Sequence, residues 1–343
     1  MDWVGRRVLV TGGASFIGSH LTEALVARGA SVRVADNFSS GTRENLAGVM
    51  AEGKIELLDV NLLDSRSAEQ AVRDIEIVFH LAADHGGRGY TDLHQVNCST
   101  NLVLDGQLFA ASARAGVKKV VFASSGCVYP NHLQTNPEDL LYLDEDLVHP
   151  PYDADNLYGW AKLMGELVLA AYCREGRLKG ASLRYFTAYG PRCPESHAVT
   201  AMIARAFVRQ NPFVVWGTGQ QVRNWTYVTD VVDATIAAAE RIDDGRAINV
   251  GTMERIKVVD AVREIFEYTG QELPLSFDTS KPTGPYNRVC DNTRASQLLG
   301  WAPRVRFSEG LRRTVDWYNH SHDRDAVKRQ LPSVLTERVH APA

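Results

Sequence analysis

Short, nearly continuous apolar runs recur along the first half of the chain. Between them lie segments whose apolar positions return every three or four residues. RRVLV (6–10) is followed by FIGSHLTEALVARG (16–29), then VRVAD (32–36), IELLDV (55–60), AEQAVRD (68–74) and IEIVFHLAA (75–83). A long helical run over Val96–Ala115 leads into VKKVVFASS (117–125), and a second over Tyr158–Cys173 leads into ASLRYF (181–186). Val/Ile/Leu-rich strands without polar alternation, separated by helices, predict a parallel sheet covered on both faces. This is a doubly wound α/β fold, whose ligands sit beyond the carboxyl ends of the strands. After Phe186 prolines at 191, 194, 212, 274, 282 and 285 break the rhythm into shorter elements. The pattern predicts a first domain over 1–186 and 224–253. A smaller, discontinuous α/β substrate domain takes 187–223 and 254–320, and 321–343 form a polar, loosely held tail.

Composition narrows the partners. The 343 residues carry a net charge of −4 with no block of lysine or arginine, which argues against nucleic acid and anionic membrane. No apolar run is long enough to span a bilayer. The first strand begins almost at the N-terminus, which predicts no signal peptide. Five cysteines, an odd number without a CxxC pair, predict neither a disulfide framework nor a metal site, and a cytoplasmic location.

The chemistry starts at TGGASFIG (11–18), between the first strand and the first helix. The next strand ends in Asp36, about 20 residues past the turn, where a carboxylate binds ribose hydroxyls and disfavours an added phosphate. The arrangement is that of a Rossmann dinucleotide site with a preference for NAD. Gly12 makes the tight turn and Gly18 lets helix and strand approach. Position 15, normally the glycine beneath the pyrophosphate, is serine. If its φ is negative the cost is small, and its hydroxyl can donate to phosphate.

YGWAK (158–162) places Tyr158 and Lys162 on one helix face, and SSG (124–126) ends the preceding strand. An ammonium beside a phenol lowers the phenol pKa from about 10 toward neutrality. Such a phenolate can take the proton of a sugar hydroxyl while the carbon gives hydride to NAD, with Ser125 holding that hydroxyl.

With TGGASFIG, HLAA (80–83), SSGCVYP (124–130), YGWAK, RYFTAYGP (184–191), VRNWTYVTDVVDA (222–234) and LGWAP (299–303), the chain resembles the extended short-chain dehydrogenase/reductase family. These are the NAD-dependent nucleotide-sugar epimerases and dehydratases, and the resemblance runs from Arg6 to about Asn319. It implies a Ser125–Tyr158–Lys162 triad. It implies NAD contacts at Gly12, Ser15, Phe16, Ile17, Gly18, Asp36, Asn37, Asp59, Val60, Leu81, Ala82, Ala83, Tyr158, Lys162 and Tyr185. A GDP- or UDP-hexose would meet Gly87, Arg88, Ser125, Cys127, Thr187, Gln221, Arg223 and Arg288, with Arg223 and Arg288 on its diphosphate. The family's homodimers pack the helices beginning near Val96 and Tyr158 into a four-helix bundle.

Within the family, Gly126 and Cys127 stand where dehydratases carry Asp-Glu, which argues against 4,6-dehydration. AADHGGRGY (82–90), SSGCVYP, LQTN (133–136) and NRVCDN (287–292) are similar to the GDP-mannose 3,5-epimerase subgroup, in which the cysteine matching Cys127 is an acid/base. Oxidation at C4 acidifies the C3 and C5 protons, and a thiol of pKa about 8.5 can be tuned to remove one. The subgroup's second acid/base, a lysine, has no match in GPRCPESHAVTAM (190–202), where His197 is the nearest substitute. Thr187 stands in place of the subgroup's asparagine and is associated instead with UDP-glucuronate 4-epimerases. The expectation is an NAD-dependent epimerase with 3- and/or 5-epimerisation favoured. The alternatives are a UDP-hexose or UDP-glucuronate 4-epimerase, a nucleotide-sugar oxidoreductase or decarboxylase, and a non-catalytic NAD-binding regulator.

Overall fold

The structure is a computed structural model that describes residues 1–337. Seven parallel strands form the main sheet: β1 (Arg7–Thr11), β2 (Ser31–Asp36), β3 (Ile55–Asp59), β4 (Ile77–His80), β5 (Lys119–Ser125), β6 (Lys179–Tyr185) and β7 (Asp244–Val250). Their spatial order is β7-β6-β5-β4-β1-β2-β3. Alternation within β1 explains why both faces need helices. Val8 and Val10 join one core with the helices α1 (Phe16–Ala27) and Val228–Arg241. Leu9 joins the other, with α2 (Asn101–Arg114) and α3 (Asn156–Arg174). The sheet order reverses at β1, which pairs β2 on one side and β4 on the other. A crevice opens at the carboxyl ends of these strands because the loops after β1 and β4 leave in opposite directions.

The second lobe has its own core of aromatic and aliphatic side chains. It is built from α4 (Ala198–Phe207), Val258–Thr269, α5 (Phe307–Ser321) and α6 (Arg324–Val334). Val222–Arg223 lies between Ile256–Lys257 and Asn287–Arg288 in a small three-stranded sheet. Phe213–Trp216 pairs with Leu275–Asp278. No helix among the described residues is long and apolar enough to cross a membrane.

Three boundaries differ from the pattern reading. The helix expected over Val96–Ala115 breaks at Thr100 into Gln95–Ser99 and α2, where Thr100 and Val103 switch to tighter i→i−3 bonds. Thr293–Leu299, placed by sequence in the second lobe, packs Ala295 and Leu299 into the first lobe's core together with Trp301. The expected loose tail over 321–343 is helical at Arg324–Val334. Its apolar residues Val327, Leu331 and Val334 share one face and are buried in the second lobe's core. The stripe is spaced among charged and polar residues that dominate the segment's composition. Residues 338–343 of that predicted tail lie outside the described residues.

Candidate active site

One cleft between the lobes, a cavity of about 690 Å³, collects nearly every residue singled out from the sequence. At its floor, β1 turns at Gly12, whose φ is +67°, and a Cβ there would stand 3.0 Å from the Ala82 backbone. A Cβ on Gly18 would lie 2.1 Å from the Gly12 carbonyl oxygen, so α1 can approach β1 only with glycine there. Ser15 caps α1 in extended conformation with φ −85°, a region open to any L residue, and its side chain makes no cap bond. The first N–H groups of α1 therefore remain available to an anion. The loop is braced from below. Thr11 Oγ1 accepts from the Leu81 and Ala82 N–H groups and bonds His80, and His80 reaches Asp105 at 3.0 Å.

Asp36 lines the same floor. Its carboxylate takes the N–H groups of Ala14 and Phe38, each at 2.9 Å, while burial raises its pKa. Phe16, Ile17, Asn37, Val60, Leu81, Ala82, Ala83 and Tyr185 also line the cleft. Asp59 does not. It is the last residue of β3, and its half-exposed side chain turns to Arg43 at 2.7 Å. Side chains of a strand point alternately to the two faces, so the next residue, Val60, faces the cleft instead.

Ser125 ends β5, and its hydroxyl accepts from the Cys127 N–H at 3.1 Å; it also lies close enough to the Tyr158 phenol to lower that group's pKa in part. Lys162, one turn further along α3, is fully buried, and its Nζ has no hydrogen-bond partner among the described residues. It lies 4.7 Å from the Phe122 ring centroid and 5.9 Å from that of Tyr158. The expected acidification of the phenol is not present in the protein alone. Burial, followed by the nearby Cys127, pushes Tyr158 above its ordinary range, and burial also draws Lys162 down. A low-dielectric pocket penalises both charged forms, and one desolvated ammonium does not overcome that. The orphaned ammonium, the glycine cradle and the uncapped helix start fit a dinucleotide, whose ribose hydroxyls and pyrophosphate supply the missing partners.

Opposite this floor the second lobe contributes cations. Arg223 donates to the carbonyls of Val222 and Thr283, each at 2.8 Å. Burial, and then the charges of Arg288 and Arg88, pull its pKa down to about 9. Arg88 pairs with Asp92 and Asp155, and Arg288 with Asp155, so three guanidiniums face two carboxylates and the cluster is short of anions. Arg288 is directed differently from the expected phosphate clamp. Its donors go to Gln134, to Asp155 and to Cys127 Sγ, the last at 3.3 Å. Gly87, Thr187 and Gln221 line the cleft as expected. His197 does too, its ring 5.9 Å from that of His85, but burial lowers its pKa to about 4. At neutral pH this imidazole is uncharged, and burial makes it a weaker base than an ordinary histidine.

Sequence reasoning passed over Asp155, Arg205 and Trp216. Arg205 lies over the Trp216 ring at 5.5 Å, and its buried Nε lacks a partner among the described residues. Both line the cleft. Helical spacing gave Arg205 no reason to differ from a surface arginine, since Trp216, the ring it lies over, comes eleven residues later on a separate strand.

Comparison with known proteins agrees with this arrangement. The model of the NAD dependent epimerase/dehydratase family matches residues 8–251. The chain is 32% identical to UDP-N-acetyl-alpha-D-glucosaminuronate decarboxylase of Bacillus cytotoxicus, over 91% of this chain and 98% of that protein. It is 27% identical to GDP-mannose 3,5-epimerase 1 of Oryza sativa subsp. indica, covering 94% and 84% of the two. Among solved structures, UDP-glucuronic acid 4-epimerase from Bacillus cereus, crystallised with UDP-glucuronic acid and NAD, superposes with a TM-score of 0.82. It has 28% identity and covers 92% of this chain and all (100%) of that one.

Proposed function

This chain belongs to the NAD-dependent epimerase/dehydratase family, and on that premise we propose that it epimerises a nucleotide-linked hexose through transient oxidation at C4, inverting C3 and/or C5. Gly12, Gly18, the start of α1, Asp36 and Lys162 hold the dinucleotide. Bound NAD would supply a reversible hydride acceptor for the sugar carbon. Ser125 holds the sugar hydroxyl, and Tyr158, which lines the same cleft, takes its proton. Lys162 stabilises the resulting phenolate from the same helix face. The unsatisfied cationic cluster at Arg223 and Arg88 suits a diphosphate. Trp216 and Arg205 suit a flat, acceptor-bearing base.

The observation that carries the 3,5 reading is Cys127. Its thiol lies in the cleft two residues past Ser125, with a guanidinium hydrogen at the sulfur. Once C4 is a ketone, the neighbouring C–H protons are acidic enough for such a thiolate to take one. Turnover in D2O is the test. Deuterium at C3 or C5 of recovered sugar that still carries all its carbons is the expected result. Its absence would sink the reading and leave simple 4-epimerisation.

A second reading, as a 4-epimerase or decarboxylase of a UDP-uronate, draws on Thr187 in the cleft wall and on the decarboxylase relative. Release of carbon dioxide during turnover would establish the decarboxylase form. We also propose a homodimer through α2 and α3, supported by the exposed apolar residues they carry.

A further inference from the structure

Asp155 is the last residue before α3 and has a nearly buried carboxylate, 5% exposed. Its Oδ2 receives Arg88 Nη1 at 2.6 Å and Arg288 Nη2 at 3.0 Å. Its backbone N–H donates to the Cys127 carbonyl at 2.8 Å. Three residues further on is Tyr158. One residue thus ties together four parts of the cleft: the helix that carries the phenol, the turn that carries the thiol, the glycine-rich loop and the second lobe. Burial alone would raise the Asp155 carboxyl, yet the two guanidiniums hold it below its ordinary value, so it is an anion inside the cleft wall.

The consequence falls on Arg288. Each nitrogen of this guanidinium has a partner: Nε donates to Gln134 at 2.8 Å, Nη2 to Asp155, and Nη1 to the Cys127 sulfur at 3.3 Å. A planar fork fixed at two of its corners has its third corner fixed as well. Gln134 is itself held, donating to the carbonyls of Tyr129 and Pro130. Arg88, the second guanidinium on Asp155, lies against Gly284 of the second lobe, where a Cβ would come within 3.2 Å of it. The carboxylate therefore joins the two lobes beside the thiol.

We infer that Asp155 is a positioning residue that holds the Arg288 guanidinium on the Cys127 sulfur and so sets the reactivity of that thiol when the lobes are together. This deepens the 3,5-epimerisation reading, but its first test is independent of it. In NAD-loaded protein, the rate at which iodoacetamide alkylates Cys127, read peptide by peptide by mass spectrometry, is expected to fall about tenfold in Asp155→Asn. The amide preserves shape and backbone but releases Arg288. A merely structural role predicts the opposite, because looser lobes expose the thiol and speed alkylation. An unchanged or faster rate overturns the inference.

Should Asp155→Asn fail to fold, Asp155→Glu keeps the charge and misplaces it by one methylene, and the same fall, reduced to a few-fold, is expected. If wild-type protein exchanges deuterium at C3 or C5, that exchange should drop at least tenfold more in the variant than hydride transfer to NAD does. Equal losses in the two steps overturn the inference. Absence of exchange in wild type overturns the functional reading instead, and alkylation then decides Asp155 alone.

Discussion

At the scale of single residues, two buried cationic nitrogens in the cleft, Lys162 Nζ and Arg205 Nε, lack a hydrogen-bond partner among the described residues. A desolvated, partnerless ammonium destabilises the protein that contains it, and burial already lowers its pKa. Lys162→Met is therefore expected to separate stability from function. Turnover should fall by about 10²–10⁴, while the melting temperature of the dinucleotide-free protein stays level or rises. Steady-state assay and thermal unfolding check the two halves. A loss of stability would mean that Lys162 is paired in solution and is not held ready for a ligand. Position 15 illustrates the opposite situation. With φ at −85° the serine replaces a glycine without strain, whereas Gly12, at φ +67° and against Ala82, leaves no such freedom.

At the scale of elements, Glu76 fastens the amino ends of three strands. It stands one residue before β4, and its carboxylate meets Arg6 and Lys118, each at 2.9 Å, and accepts from the Arg7 N–H at the start of β1. The side-chain hydrogen bond from Lys118 is the main reason its pKa falls from 4.5 to about 2. Because the folded-state value is the lower one, this stabilisation is complete above pH 4.5 and is lost as the pH falls toward 2. Screening at the solvent-facing amino ends of the strands reduces it to about 1–2 kcal/mol. Urea unfolding of Glu76→Gln should show that deficit at pH 7 and no difference from wild type near pH 2. The same scale explains α6. Its three buried apolar side chains dock it on the second lobe, and beyond it His94 meets Glu337 across the lobes at 3.1 Å.

At the scale of the whole molecule, α3 has two apolar faces. One enters the core, while Leu157, Trp160, Met164 and Leu167 form a stripe that is 38–42% exposed beside exposed Leu102 and Val103 on α2. A patch of this kind marks an interface. Sedimentation should find the wild-type protein as a dimer and Leu167→Arg as a monomer that keeps its fold. A monomeric wild type would leave the stripe without a role. The inward face of the same helix carries Tyr158 and Lys162. Dimer packing would therefore stiffen the element on which the proposed proton transfer depends.

What the chain's own order of residues determined was local. Strand periodicity, the glycine turn with Asp36 about 20 residues on, and a tyrosine four residues before a lysine all depend on distances along the backbone, which covalent geometry sets. These features were enough for the doubly wound sheet and for the dinucleotide floor of the cleft, while the substrate side was expected from the family resemblance. What only the tertiary structure decided was the environment of each group. It turned Asp59 toward Arg43, brought Asp155 between Arg88 and Arg288, aimed Arg288 at Cys127, and raised the Tyr158 pKa where an adjacent lysine had suggested a fall. Desolvation and pairing arise between segments far apart in the chain, and no spacing within one segment encodes them.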